Sequence, residues 1–188
     1  SSSSNSSYGS NDSGKGKTIV LEYSQPNVGK PMHVGHIRST IIGDCFRRLY
    51  SFNGWKTVSM NYLGDSGLQV AKLLLAMELF KDMPEPKNEK VMLDYYVKIH
   101  QKIEEDPNLE EKAQRILEKI EEGDPQTLER VKYVREKSYL AFQRNYDLLG
   151  VQFDEVIGES AFIEASKDVV KEALEKGVFK VAEVSEGG

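Results

Sequence analysis

Y-S-Q-P-N-V-G-K-P-M-H-V-G-H-I-R, residues Tyr23 to Arg38, joins two segments of different periodicity. The apolar run before it, Thr18 to Leu21, is typical of a buried strand. The segment after it repeats apolar residues with the period of a helix, at Ile37, Ile41, Cys45, Leu49 and Phe52. The stretch is therefore predicted to be a strand-to-helix loop. In an open α/β sheet such loops bind ligands at the carboxyl ends of the strands.

The composition of this loop predicts a site for a phosphate chain. Two of the three histidines, His33 and His36, flank Gly35. The first backbone N–H groups of a helix beginning near Ile37 have no partners inside the helix, and they favour anions. Imidazoles can donate hydrogen bonds to phosphate oxygens, and a glycine leaves room for a base or a ribose. The loop is thus expected to position phosphates and to stabilise charge without a protein nucleophile.

The remaining elements follow from periodicity and turn residues. The predicted elements after the first helix are a strand over 55–63, a helix over 68–80, three charged amphipathic helices within about 84–149, a strand over 151–157, a helix over about 165–176 and a short strand over 178–184. The third charged helix is expected to start at Asp124-Pro125, a cap followed by a first-turn proline, and to carry Tyr146 in its apolar stripe. This order predicts an α/β fold, a Rossmann-type parallel sheet over 18–188 that carries a helical insertion. Residues 1–17 are polar and are predicted to be a disordered linker or tag.

Composition excludes several classes of protein. No apolar run is long enough to span a bilayer and no leader resembles a signal peptide, so a cytoplasmic, non-membrane protein is expected. The single cysteine, Cys45, excludes an internal disulfide and a thiolate metal site, and its place on the apolar stripe predicts a buried thiol. The net charge of -5 implies that any contact with RNA is local.

Specific strings in the chain resemble a known family. The tetrapeptide His33-Val34-Gly35-His36 resembles the H-x-G-H signature of class I aminoacyl-tRNA synthetases and related nucleotidyltransferases. The longer string from Glu22 to Asp44, followed by M-N-Y-L-G-D-S-G at 60–67, resembles the arginyl-tRNA synthetases. The resemblance implies the first half of a class I catalytic domain. It implies a monomeric parent enzyme that activates L-arginine with ATP and transfers it to tRNA(Arg).

The resemblance also implies roles for individual residues. The residues implied to bind ATP are His33, Gly35, His36 and Lys30, and the implied catalytic residues are the two histidines and Lys30. The residues implied to bind arginine are Glu22, which would hold the guanidinium group, Gln25 through its backbone, Asn27 and His36. Lys30 would supply a positive charge that the class otherwise takes from a lysine-rich loop, and no such loop occurs in these 188 residues. Mg²⁺ is expected to accompany ATP, and no protein metal site is expected.

Two alternatives remain open at this point. One is another H-x-G-H enzyme, either a synthetase for a different amino acid or a nucleotidyltransferase, which binding of arginine together with ATP would exclude. The other is a catalytically silent interaction module that docks a partner on its acidic helices. If the chain is a synthetase fragment, the 188 residues alone are expected to bind ATP weakly and to have low activity or none. Half a sheet leaves an exposed edge, so the chain is also expected to self-associate.

Residues outside the loop receive structural predictions. Asp65 is predicted mainly to cap the second helix, and His100 is predicted to have no catalytic role. Arg47 and Arg48 are expected on the solvated face of the first helix.

Overall fold

The computed structural model describes residues 7–180, apart from the side chain of Glu89. Three parallel strands form one sheet in the order β1 (Thr18–Glu22), β2 (Lys56–Leu63) and β3 (Glu155–Gly158). Thr18 pairs with Lys56 in the first ladder, and Met60 pairs with Glu155 in the second. Because all three strands run in the same direction, their carboxyl ends meet at one edge of the sheet. This confirms the predicted α/β fold.

Helices connect the strands and build most of the core. The helices are α1 (Val34–Phe52), α2 (Leu68–Leu79), α3 (Glu89–Glu105), α4 (Asn108–Glu122), α5 (Pro125–Leu149) and α6 (Ile163–Glu175), with a 3-10 turn at Glu159–Phe162. Helix α2 is apolar on nearly all sides and packs against α3, α4 and α5. Its buried residues are Val70, Ala71, Leu73, Leu74, Leu75 and Ala76. None of the helices within residues 7–180 is long and apolar enough to cross a membrane.

Most predicted boundaries lie within a few residues of the observed ones. The predicted cap and first-turn proline of α5 are confirmed, since Asp124 Oδ2 accepts the N–H of Thr127 at 2.8 Å and Pro125 begins the helix. The third strand begins at Glu155 and not at Val151, because Asp154 turns to bind β2 by accepting the backbone N–H of Ser59 at 2.7 Å. The predicted final strand over 178–184 lies mostly outside the described residues, and residues 178–180 are not in a strand.

Helix α1 is oriented differently from the prediction. Its apolar stripe faces outward, with Ile41 49% and Leu49 52% exposed, and the predicted buried Cys45 is exposed. The inward face is instead small and polar. Gly43 lies directly on the ring of Tyr23, where an added Cβ would approach to 2.1 Å. No larger side chain fits at this crossing, so helix and strand can approach closely only on the glycine face.

The prediction that Arg47 and Arg48 lie on the solvated face of α1 is confirmed for Arg48, whose side chain is 60% exposed, and is wrong for Arg47, which is only 26% exposed. Asp44 is buried and accepts hydrogen bonds from Arg47 Nε at 2.8 Å and from Arg48 Nε at 2.5 Å. Arg48 also donates to the backbone oxygen of Gly150 at 2.9 Å, which ties α1 to the end of α5. The two guanidinium groups thus compensate one buried carboxylate.

The described part of the polar N-terminal segment has defined contacts, in contrast to the disorder expected for residues 1–17. Gly14 donates its N–H to the carbonyl of Asn53 at 2.9 Å and lies against the ring of Trp55. Lys17 Nζ lies 5.1 Å from the centroid of the Trp55 ring. Residues 7–17 therefore cover the end of α1 and the start of β2.

Candidate functional site

The two histidines of the loop form a reciprocal cap at the start of α1. His33 is the N-cap residue, and its Nδ1 accepts the N–H of Gly35 at 3.1 Å. His36 reaches back, and its Nδ1 accepts the N–H of His33 at 3.3 Å. This is the geometry of a capping box, in which histidines take the places of Ser or Thr and Glu or Gln. The helix therefore begins at Val34, about one turn before the predicted start at Ile37.

The capping box determines which ring nitrogens remain available. Because Nδ1 accepts a hydrogen bond in both His33 and His36, each neutral ring carries its proton on Nε2. The two rings stack with centroids 3.8 Å apart and planes at 24°. Burial, and secondarily the neighbouring His33, lowers the pKa of His36 below its usual value of 6.5. The loop therefore presents two neutral N–H donors beside a helix N-terminus.

Gly35 has a steric role in this arrangement. A Cβ at this position would lie 2.9 Å from Cε1 and 3.0 Å from Nδ1 of His33. Any larger residue must displace the His33 ring, and with it the hydrogen bond that caps the helix. The space that the sequence assigned to a base or a ribose is partly needed by His33 itself.

A pair of substitutions tests this steric coupling. In the wild-type background we expect Gly35→Ala to lower the free energy of unfolding by about 1 kcal/mol, because the cap is lost. In a His33→Ala background the same change should instead stabilise the helix by about 0.5–1 kcal/mol, as Gly-to-Ala changes in helices usually do. Urea denaturation of the four chains measures both values. An equal change in both backgrounds would show that Gly35 and His33 are independent.

The turn between β1 and α1 has a strained backbone. Ser24 and Gln25 have φ angles of 86° and 51°, in the left-handed region that residues other than glycine rarely adopt. The side chain of Ser24 is buried, and its Oγ lies 2.8 Å from both Tyr146 Oη and Thr40 Oγ1. Thr40 Oγ1 in turn lies 2.7 Å from the carbonyl oxygen of His36. The strained turn and the histidine helix are therefore joined through one buried set of hydroxyl groups.

Two predicted arginine-binding residues are in direct contact. Gln25 Nε2 donates to Oε2 of Glu22 at 2.6 Å, and both residues are exposed at the carboxyl end of β1. Partial burial of the Glu22 carboxyl raises its pKa, while the hydrogen bonds from Gln25 and from the backbone of Tyr62 act in the opposite direction. The carboxylate is thus accessible from solvent and already has an amide partner.

Asn27 lies at the end of the neighbouring strand. The loop pairs with the residue after β2, since Val28 donates to Gly64 at 3.0 Å and Gly64 donates to Pro26 at 3.2 Å. Asn27 is exposed, and its Oδ1 would lie only 2.4 Å from a Cβ on Gly64. Gly64 therefore permits the close approach that places Asn27 on the same edge as Glu22.

The ammonium group of Lys30 lies against helix α3. Its Nζ lies 4.1 Å from the centroid of the Tyr96 ring on α3, a cation–π distance. The Tyr96 ring also contacts the ring of His100, with centroids 4.3 Å apart and planes tilted by 50°. Burial is the largest of the effects that lower the pKa of His100, and its Nε2 is buried without a hydrogen-bond partner among the described residues. Of the predicted phosphate-contacting residues, His33, Gly35 and His36 contact one another, and the observed partner of the Lys30 ammonium group is Tyr96.

The sequence does not indicate the residues that support the loop from α5. Tyr146 Oη accepts Asn61 Nδ2 at 3.0 Å and also contacts Ser24, while Ser138 Oγ accepts the N–H of Gly29 at 2.9 Å. Both residues lie on the inner face of α5, where Tyr146 is predicted only as part of an apolar stripe. A polar role for Tyr146 could have been inferred only from its chemistry, because a buried tyrosine hydroxyl group normally has a hydrogen-bond partner.

The prediction that Asp65 caps α2 is wrong. The N-cap position is Gly67, which makes no side-chain hydrogen bond. Asp65 is fully buried and accepts the N–H of Ser160 at 2.8 Å, the hydroxyl of Ser160 at 2.7 Å and Arg135 Nη1 at 3.1 Å. Its carboxylate joins the end of β2 to the turn after β3. These contacts compensate a buried charge, whereas a carboxylate that capped a helix would be half-exposed.

The site as a whole can bind an anion beside a guanidinium or ammonium group. Its donors are the two Nε2–H groups and the helix N-terminus, and its exposed carboxylate is Glu22. Among the described residues, no group of three or more metal-ligating side chains occurs. A parallel sheet with such an edge is typical of the α/β domains that bind nucleotides at their strand ends.

Comparison with known proteins identifies the family. The family described as "tRNA synthetases class I (R), catalytic domain" matches residues 3–187. The chain therefore belongs to the family of class I arginyl-tRNA synthetase catalytic domains. It is 39% identical over 175 residues to the arginine–tRNA ligase of Halothermothrix orenii, an alignment that covers 92% of this chain and 31% of that protein.

Solved structures agree with this assignment. The arginyl-tRNA synthetase of Plasmodium falciparum superposes with a TM-score of 0.69 at 25% identity, covering 88% of this chain and 28% of that one. The Thermus thermophilus arginyl-tRNA synthetase gives a TM-score of 0.69 at 25% identity, covering 85% and 26%. The chain thus spans about a third of the length of the relatives that it matches.

Proposed function

We propose that this chain is the part of a longer arginyl-tRNA synthetase that binds ATP and the arginine side chain. The whole enzyme would activate L-arginine with ATP and then transfer it to tRNA(Arg). The arginine carboxylate attacks the α-phosphorus, the bond to the β-phosphate oxygen breaks, and arginyl-adenylate and pyrophosphate form. The observation that carries the proposal is the histidine capping box on the strand-end edge, within a chain that matches the family over residues 3–187.

The histidines are assigned to the phosphates. His33 and His36 direct Nε2–H donors outward because their Nδ1 atoms are engaged in the cap. Neutral imidazole donors and backbone N–H groups held in place by a helix need no reorganisation when charge develops on the phosphates. The nucleotide would lie along the exposed surface of Gly35. The reaction then needs positioning and charge stabilisation, and no protein nucleophile.

Arginine is assigned to the edge formed by β1 and the loop. The Glu22 carboxylate suits a planar guanidinium, which it can bind with two parallel hydrogen bonds. Asn27 lies exposed on the same edge, and Gln25 offers its backbone there. His36, in the first turn of α1, would contact both the amino acid and ATP.

Lys30 is assigned to the phosphates as a mobile cation. Its ammonium rests on Tyr96, so it would have to leave this ring to reach a bound nucleotide. A phosphate chain offers a stronger electrostatic partner than an aromatic face. Mg²⁺ would arrive bound to the ATP phosphates. We place the enzyme in the cytoplasm as a monomer, and we expect the 188-residue chain alone to have low activity or none.

Calorimetric titration with ATP tests the proposal. The wild-type chain should bind ATP weakly, and His36→Ala should lose most of the measured heat because a donor and part of the helix cap disappear together. Gln114→Ala is the control, since Gln114 is exposed on α4 outside the loop, and it should bind like the wild type. Circular dichroism verifies that each chain is folded. Equal ATP affinity in wild type and His36→Ala would contradict the assignment of this loop.

A further inference from the structure

We propose that the side chain of Gln25 is a displaceable plug that occupies the carboxylate of Glu22 until a guanidinium group replaces it. This inference rests on the proposed role of Glu22 in binding arginine. It assigns the Gln25 side chain a function opposite to that of a substrate contact, because the carboxamide competes with the substrate for the same oxygen atoms. Gln25 therefore sets the affinity of the site for arginine.

The first observation behind the proposal is the contact between the side chains of Gln25 and Glu22. Gln25 Nε2 donates to Glu22 Oε2 at 2.6 Å, a short distance for an amide and a carboxylate. The backbone of Tyr62 supplies a further hydrogen bond to the same carboxyl group. The free protein thus satisfies Glu22 with two neutral donors, at an edge where a charged fork-shaped donor would otherwise bind.

The backbone supplies the second step. Ser24 and Gln25 both have positive φ angles in the turn after β1, and in this turn the Gln25 side chain contacts Glu22 three residues back. Such conformations are unfavourable for residues other than glycine and persist only where the surroundings enforce them. Here the buried Ser24 side chain is held by Tyr146 and Thr40. The fold therefore maintains a strained turn whose visible result is the contact between Gln25 and Glu22.

The two donors that compete for Glu22 differ in strength, and this difference favours arginine over Gln25. A neutral carboxamide offers one weakly polarised N–H to the carboxylate, whereas a guanidinium offers two charge-assisted bonds in parallel. Arginine can therefore displace Gln25, and each binding event includes the loss of the internal hydrogen bond. Removing the amide should remove this loss, so arginine should bind more tightly.

The test is titration of the 188-residue chain with L-arginine, followed by NMR. We expect Gln25→Ala to lower the dissociation constant for arginine by roughly fivefold, the effect of one net hydrogen bond. Gln25→Met, which keeps the length of the side chain without its donor, should give the same change if the hydrogen bond, and not steric cover, is the barrier. Gln25 is exposed, so both variants should retain the wild-type fold.

A second readout needs no ligand. The hydrogen bond from Gln25 lowers the pKa of Glu22, so Gln25→Ala should raise that pKa in an NMR titration of the Glu22 carboxyl carbon. An unchanged Glu22 pKa would overturn the plug. So would equal or weaker arginine binding by Gln25→Ala, including no detectable binding by either chain up to the solubility limit of arginine.

Glu22→Gln separates failure of the plug from failure of the proposed function. If this variant binds arginine like the wild type, Glu22 is not the guanidinium partner and both ideas fall. If it loses binding while Gln25→Ala matches the wild type, Glu22 keeps its role and only the plug is wrong.

Discussion

Replacement of His36 with alanine in a full-length enzyme containing this chain is expected to lower kcat for arginine activation by about 10²–10³-fold, the range for losing one preorganised donor at a developing charge. His36 has one structural role and one proposed role. Its Nδ1 accepts the N–H of His33 and completes the cap, and this bond leaves Nε2–H as the proposed donor to phosphate. Alanine removes both, and ATP–pyrophosphate exchange measures the loss.

His36→Gln distinguishes the two functions. Glutamine at this position is the usual partner in a capping box, so it can accept the N–H of His33 and restore the helix start. It cannot place a rigid donor where the imidazole Nε2 lies. We therefore expect His36→Gln to recover the thermal stability lost in His36→Ala while the exchange rate stays low. A rate within a few-fold of wild type in either variant would contradict a role for His36 in the reaction.

Replacement of Asp65 with alanine is expected to lower the free energy of unfolding by about 3 kcal/mol, as breaking a buried ion pair does. The carboxylate is 0% exposed and accepts three donors, from the backbone and hydroxyl of Ser160 and from Arg135. Its removal leaves the Ser160 N–H without an acceptor and a partly buried guanidinium without its counter-charge. Urea denaturation of the 188-residue chain measures the difference.

Asp65→Asn is the shape-matched control. An asparagine keeps the volume, and its single carbonyl oxygen can accept only part of what two carboxylate oxygens accept. Its stability should fall between those of wild type and Asp65→Ala. Arg135→Met, which removes the cation at a partly exposed position, should cost less than Asp65→Ala. A loss of less than 1 kcal/mol in Asp65→Ala would mean that the pairing contributes little net stability.

The order of elements was accessible from the sequence because it depends on local signals. Periodicity located the strands and helices, and Asp124 with Pro125 marked the start of α5 correctly. The orientation of α1 was not accessible in this way. Its apolar stripe predicted an inward face, but Gly43 against Tyr23 determines the contact with the sheet, and the stripe faces outward. Periodicity identifies an apolar face, and only packing identifies what covers it.

The candidate site also contains contacts that the sequence predicts and contacts that it does not. The proximity of His33 to His36 and of Glu22 to Gln25 follows from their short separation in the sequence. The supports of the loop do not, since Tyr146 lies 122 residues from Ser24 and Ser138 lies 109 residues from Gly29. Such pairs arise from tertiary contacts, and a single sequence carries no trace of them beyond the need of a buried hydroxyl group for a partner.

The anchoring of the loop by α5 limits how this segment of the candidate site could be engineered. Grafting residues 24–36 onto another parallel sheet would carry over the sequence and leave behind two of its fastenings, Tyr146 on Ser24 and Ser138 on Gly29. The left-handed turn would then relax, because nothing in the segment itself enforces it. A graft would therefore have to include α5 as well as the loop, because the histidine motif alone lacks the contacts that hold the loop in place.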